Sequence, residues 1–174
     1  MKKYLLLFTA LIAFISCEST EVIEDAELRI VGNWKLIDYR YEMTQINRTD
    51  FFGEIRNDTA RSTIEIFNNN LIAEFKYNPQ FIIESGNASY VITRQNKDGV
   101  ITKDTLHYES LIAGGEWNYV DDQIHLWMED YVRIGKVNFS GDRMIIDVDM
   151  ETSLEYEGDY DYKNEIVHFE YQRL

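Results

Sequence analysis

"SGDRMIIDVDME", Ser140 to Glu151, decides the class of fold. After the Ser140-Gly141-Asp142 turn, Met144, Ile146, Val148 and Met150 fall at every second position, opposite Ile145, Asp147, Asp149 and Glu151. A period of two belongs to a β-strand with one dry face and one wet face. Working outward, similar runs of β-branched and aromatic residues recur between Asn, Asp and Gly clusters, and no long helical period competes with them. Strands are predicted near 33–42, 62–69, 71–77, 80–84, 88–95, 100–109, 115–120, 123–129, 131–140, 143–151 and 165–173. A short helical turn is possible at about 24–28. Asn68 to Asn70, Lys97-Asp98-Gly99 and Asp121-Asp122 supply turn residues that tolerate tight or left-handed backbone. Pro79 stands at a break between strands, where its missing donor costs least.

Hairpins joined in this way make an antiparallel meander. Some ten strands in one open sheet would leave long unpaired edges, and closure removes them. The expected fold is therefore all-β, an antiparallel up-and-down β-barrel.

The first strand opens with Gly32-Asn33-Trp34, and the last carries Val167, Phe169, Tyr171 and Arg173 on one face. Together with the meander, this resembles the lipocalins and related calycins, in which a G-x-W motif begins the first strand and a basic side chain near the end of the last strand packs over the indole. The resemblance covers residues 30–174 and is closest to the lipocalin-like domains of bacterial envelope lipoproteins. It implies that Gly32, Trp34 and Arg173 form the floor of the barrel, with architectural roles, and that any ligand enters at the opposite end.

Between the first two predicted strands lie Met43 to Arg61. A connection of that length suits a lid or binding loop. Phe51 and Phe52, beside Gly53, would then seal an apolar cavity; the alternative is a short surface helix whose phenylalanines cover a gap in the core. Aromatic residues make up 14% of the chain, and they fill a barrel as readily as they line a pocket. If a pocket exists, Tyr90, Trp117, Tyr119 and Trp127 are its further candidate lining residues.

The amino-terminal segment has the form of a signal peptide, 1–16: Lys2 and Lys3 precede an apolar run from Tyr4 to Ile15, and Glu18 brings charge before the length of a membrane span is reached. Phe14-Ile15-Ser16-Cys17 resembles a lipobox, which implies lipidation at Cys17, the chain's single cysteine. An acidic tether, 17–29, leads to the domain at 30–174. These features predict a lipid-anchored protein of the outer membrane. Its partners would be the membrane itself, a hydrophobic small molecule or another envelope protein.

The formal charge is −14, becoming −16 once Lys2 and Lys3 leave with the signal. A surface so acidic repels phosphate backbones, which excludes ordinary nucleic-acid binding. No G-x-S-x-G, H-E-x-x-H or glycine-rich phosphate loop is present. His107, His125 and His168 stand in different predicted strands without metal-ligand spacing. Asp159 to Glu170 matches a calcium loop only in part: Lys163 takes a ligand position and Asn164 the place of the turn glycine, so a charged hairpin loop is predicted there. Asp58-Thr59-Ala60 and Asp104-Thr105-Leu106 resemble an envelope O-glycosylation site. The expectation is no enzyme, no cofactor and no metal. Two readings stand: a barrel that binds an apolar or amphipathic ligand, and a packed barrel that serves as a structural or interaction module.

Overall fold

The computed structural model describes residues 26–108, 115–127, 131–156 and 159–174, without the side chains of Phe51 and Tyr108. The signal peptide, Cys17 and most of the tether lie outside the described residues. A short helix, α1 (Ala26–Ile30), precedes eleven strands: β1 (Gly32–Phe51), β2 (Glu54–Asn69), β3 (Ile72–Tyr77), β4 (Gln80–Ser85), β5 (Ala88–Gln95), β6 (Ile101–Tyr108), β7 (Trp117–Val120), β8 (Gln123–Trp127), β9 (Val132–Ser140), β10 (Arg143–Tyr156) and β11 (Asp159–Arg173). All pairings between them are antiparallel, and they form one sheet in the order β6-β5-β2-β1-β11-β10-β9-β8-β7, with β3 on β1 and β4 on β3.

Two pairs of strands run in line. β2 and β3 both lie along β1, interrupted at Asn70 and Leu71, where the Leu36 N–H donates to the Leu71 carbonyl at 3.0 Å. β5 and β4 lie along them in turn, interrupted at Gly86 and Asn87. The two interruptions face each other. Asn70 N–H donates to the Asn87 carbonyl at 3.0 Å, and Asn87 N–H donates to Asn70 Oδ1 at 2.6 Å. Gly86 is required there: its φ is +103°, and a Cβ would stand 2.5 Å from the Asn70 carbonyl oxygen. Matched irregularities of this kind bend a sheet at a fixed place.

The bend turns one face of the sheet onto itself. Trp34, Leu36 and Tyr39 of β1, Phe75 of β3, Ile82 of β4, Trp117 of β7, Ile146 of β10 and Phe169 and Tyr171 of β11 join a single buried cluster. Phe75 meets the Trp117 ring at 5.9 Å and the Tyr171 ring at 6.1 Å, both edge-on, so side chains from distant strands of one sheet touch.

The closed barrel is a correction to the sequence reading. The pairing path ends at β6 on one side and β7 on the other. Among the described residues, its flanks meet at a bridge from Phe81 to Glu116, beside an Ile82 N–H donated to the Gly115 carbonyl at 2.9 Å. β7, four residues long, pairs with β8, and among the described residues no ladder crosses the seam.

Met43 to Arg61 is a second correction. It is neither a lid nor a helix but the outer halves of β1 and β2, joined by a two-residue turn at Phe52 and Gly53 with φ of 55° and 84°. Asp50 Oδ1 accepts from Gly53 N–H at 2.7 Å and holds that turn. Asp159 to Glu170 likewise belongs to β11 and pairs with both β1 and β10, an extended backbone that cannot wrap a cation. These outer halves of β2, β1, β11 and β10 form an arm projecting beyond the core.

Candidate functional site

At the lower end of the concave face, Arg173 lies with its guanidinium carbon 4.5 Å from the centroid of the Trp34 ring. Both side chains also cap α1. Trp34 Nε1–H donates to the Ile30 carbonyl at 2.7 Å, and Arg173 donates to the Arg29 carbonyl, so the helix's last carbonyls are satisfied by side chains of β1 and β11. Gly32 has φ +135°, and a Cβ there would approach Arg173 Nη1 at 3.4 Å. This end is architecture.

Above it the inner wall becomes polar. Along β9, Arg133, Gly135, Val137 and Phe139 share the inner face, and along β11 so do Glu165, Val167, Phe169 and Tyr171. Arg133 is 7% exposed and Glu165 4%. The Glu165 carboxylate accepts the Tyr41 hydroxyl at 2.5 Å and the Lys163 ammonium at 2.7 Å. Burial by itself would raise the Glu165 carboxyl; the bonds from Lys163 and Tyr41, with the nearby charge of Arg133, outweigh it and hold the group below its ordinary value. Burial pushes the Tyr39 hydroxyl up to about 12, against the opposing charge of Arg133. Tyr41 is raised by burial and by its bond to Glu165, and Tyr171, fully buried, by burial.

Arg133 has no such partner. Among the described residues no carboxylate lies within ion-pair distance of it, and its Nε has no hydrogen-bond acceptor. The guanidinium lies 5.3 Å from the ring centroid of Tyr131, which is 45% exposed. A buried donor left unsatisfied costs roughly 1–3 kcal/mol, more when charged. Arg133, Glu165, Tyr39 and Tyr41 were not singled out from sequence. The signal was present: Glu165 continues the inward series Val167, Phe169, Tyr171 by one step, and Arg133 continues Val137 and Phe139 through Gly135.

Of the aromatic residues named from sequence, Trp117 and Trp127 border one groove, and Tyr90 and Tyr119 stand apart from it. Tyr90 is buried edge-on to Tyr39, with ring centroids 6.1 Å apart. Trp117 is buried against Phe75 and donates its Nε1–H to the Lys76 carbonyl at 3.0 Å. Tyr119 sits by the lower β7–β8 turn, its hydroxyl 3.3 Å from Asp122 Oδ1. Trp127 stands on the outer face, tilted against His125 at 5.7 Å. With Trp117, Pro79, Phe81, Glu116 and Asn118, it borders an open groove of about 520 Å³ beside the seam. Phe52, at the tip of the arm, is 97% exposed; the side chain of Phe51 lies outside the described residues. Exposed Thr105 and half-buried Thr59 lie on strands β6 and β2.

One constellation has metal-ligand spacing: ligand atoms of Asp38, His168 and Glu170 lie within 4.8 Å of one another on the outer face. Each is already engaged. Arg40 pairs with Asp38 at 2.9 Å, Arg143 with Glu170 at 2.7 Å, and Asp147 with His168 Nδ1 at 2.7 Å. This is an ion-pair network across β1, β11 and β10. His107 Nδ1 lies 2.7 Å from Ser89 Oγ.

Fold and site together define an all-β protein whose single sheet bends around an aromatic core with a charged upper storey. Protein-family models, curated proteins and solved structures give no match to the chain.

Proposed function

We propose that this chain is a non-enzymatic, lipid-anchored envelope lipoprotein whose lipocalin-like sheet, open at the β4–β7 seam, holds an apolar or amphipathic small molecule on its concave face. One observation carries the ligand: Arg133 and Glu165 are buried in an otherwise apolar wall. Apolar side chains of similar shape serve stability as well as or better than buried charges, so stability alone is a weak reason to keep them there. Trp34, Phe75, Trp117 and Tyr171 fill the lower half. The ligand therefore lies in the upper half, near Tyr39 and Tyr41, rather than on the floor.

The anchor rests on the sequence. Lys2 and Lys3, the apolar run to Ile15 and the Ser16-Cys17 junction support export and lipidation at Cys17, and the net charge supports a solvated face that avoids nucleic acid. Outer-membrane residence belongs to the same reading. A second reading, a packed module that acts through other envelope proteins, is favoured by the aromatic filling of the lower core.

Native mass spectrometry of the protein extracted from its own membrane tests both. The expected species begins at Cys17, carries acyl chains and holds a small-molecule adduct that leaves on mild activation. Acylated protein without any adduct, together with no change in melting temperature across a panel of amphiphiles, refutes the ligand reading. A chain that keeps its first sixteen residues refutes the anchor.

A further inference from the structure

We propose that the groove beside the β4–β7 seam is a second binding site, on the outer side of the sheet, and that it takes a neutral saccharide. The site is separate from the concave face and does not depend on the small molecule proposed there.

The groove exists because the two flanks touch and then part. Phe81 pairs with Glu116 in a single bridge, and the Trp127 N–H donates to the Glu116 carbonyl at 2.9 Å. Past that bridge β4 ends at Gln80, with Pro79 in the turn before it, whereas β7 follows β8, and a space of about 520 Å³ is left between them. That volume is in the range of small-molecule sites.

The lining is of two kinds. Trp127 stands at the groove 36% exposed, with buried Trp117 and half-buried Phe81 as its other aromatic groups. The polar groups are the amides of Gln80 and Asn118 and the Glu116 carboxylate. A pyranose has the matching halves: a face of C–H groups that packs on an aromatic ring, and a rim of hydroxyls that both donate and accept. Asn118 Oδ1 is buried and accepts no hydrogen bond, and Glu116 forms no ion pair among the described residues. An unmet buried acceptor is costly, and a turn of the half-buried Asn118 amide toward a sugar hydroxyl removes that cost.

Charge narrows the class. Among the described residues no lysine or arginine borders the groove, while Glu116 does and Glu27 of α1 accepts a hydrogen bond from Gln80. A uronate or a phosphorylated sugar would meet carboxylates with no cation to offset them. A quaternary ammonium needs several aromatic faces around it, and Trp117, 1% exposed, leaves Trp127 as the main open ring.

The test uses the full protein, in a detergent without a sugar head group, on an array of neutral and acidic glycans. Neutral glycans should bind, and the tightest of them should shield Trp127 from acrylamide, so that the quenchable part of the emission falls; Trp34 and Trp117 are each only 1% exposed. Trp127→Ala should weaken that binding at least about 10-fold and Asn118→Ala about 5-fold, with Trp127→Phe between wild type and Trp127→Ala. Trp127 is on the outer face, so its loss should leave the urea midpoint near that of the wild type. If the Ala variant does not fold, shielding in the wild type and the affinity of the Phe variant decide. Binding of acidic glycans alone, binding of no glycan, or an affinity that survives Trp127→Ala overturns the assignment. None of these outcomes bears on the concave face, which Trp127 does not line.

Discussion

Glu165→Gln probes the charged storey most sharply. The substitution keeps shape and one acceptor oxygen but removes the charge that receives Tyr41 at 2.5 Å and Lys163 at 2.7 Å. Turning the Tyr41 bond from charge-assisted to neutral costs about 1 kcal/mol. The Lys163 pair adds less than about 1 kcal/mol, because that side chain is 40% exposed and screened by solvent. Removing a negative charge that faces buried Arg133 adds about 1 kcal/mol more at the effective dielectric of such sites. The total is about 2–3 kcal/mol, a large part of the stability of a domain this size. Urea unfolding at pH 7, followed by tryptophan emission, should show a lower midpoint with an unchanged slope.

The same substitution carries a pH signature. Glu165 is held below its ordinary value in the folded state, so its contribution is complete above the unfolded value near 4.5 and disappears as pH falls through the lower folded value. Wild-type and variant stabilities should therefore converge in acid. A loss below about 0.5 kcal/mol at pH 7, or a gap that persists at low pH, would show that the carboxylate is solvated and the reasoning wrong.

Other consequences concern the floor and the tyrosines. Arg173→Met removes a cation over Trp34 and a bond to the Arg29 carbonyl and should cost about 1–2 kcal/mol by urea unfolding, with a change in Trp34 emission; an unchanged midpoint would make the contact incidental. Tyr39 is raised to about 12, so its neutral form is favoured by folding; that stabilisation is complete below pH 10 and lost between about 10 and 12. Roughly 2–3 kcal/mol of stability should therefore disappear over that interval, and Tyr39→Phe should lessen the loss. Phenolate absorbance that rises fully at pH 10 without unfolding would contradict the burial of these hydroxyls.

Much of the sheet was legible because alternation is plain wherever one face is dry. Met144 to Met150 and Val167 to Tyr171 declare their faces in the sequence, and the turns at Asp121-Asp122 and Gly141 carry positive φ. The arm was illegible for the complementary reason. Apart from Ile46, Ile55 and Ala60, Thr44 to Asp50 and Glu54 to Arg61 are polar, most of them are exposed, and a strand wet on both faces reads as a loop. Closure was expected because open edges are costly, yet the seam depends on a short contact between β4 and β7 that no periodicity encodes. Composition leaves the aromatic residues open between core and pocket lining; Trp117 is buried and Trp127 is on the outer face, yet both border the groove beside the seam. Arg133 and Glu165 escaped notice because charged residues are ordinarily assigned to the wet face.

A crystal structure of the protein extracted from its own membrane without delipidation decides whether the charged storey around Arg133 and Glu165 receives a small molecule. Non-protein density on the concave face beside Tyr39 and Tyr41 is the expected result. An interior filled by protein side chains alone, with Arg133 Nε bonded to a carboxylate of its own chain, would contradict it.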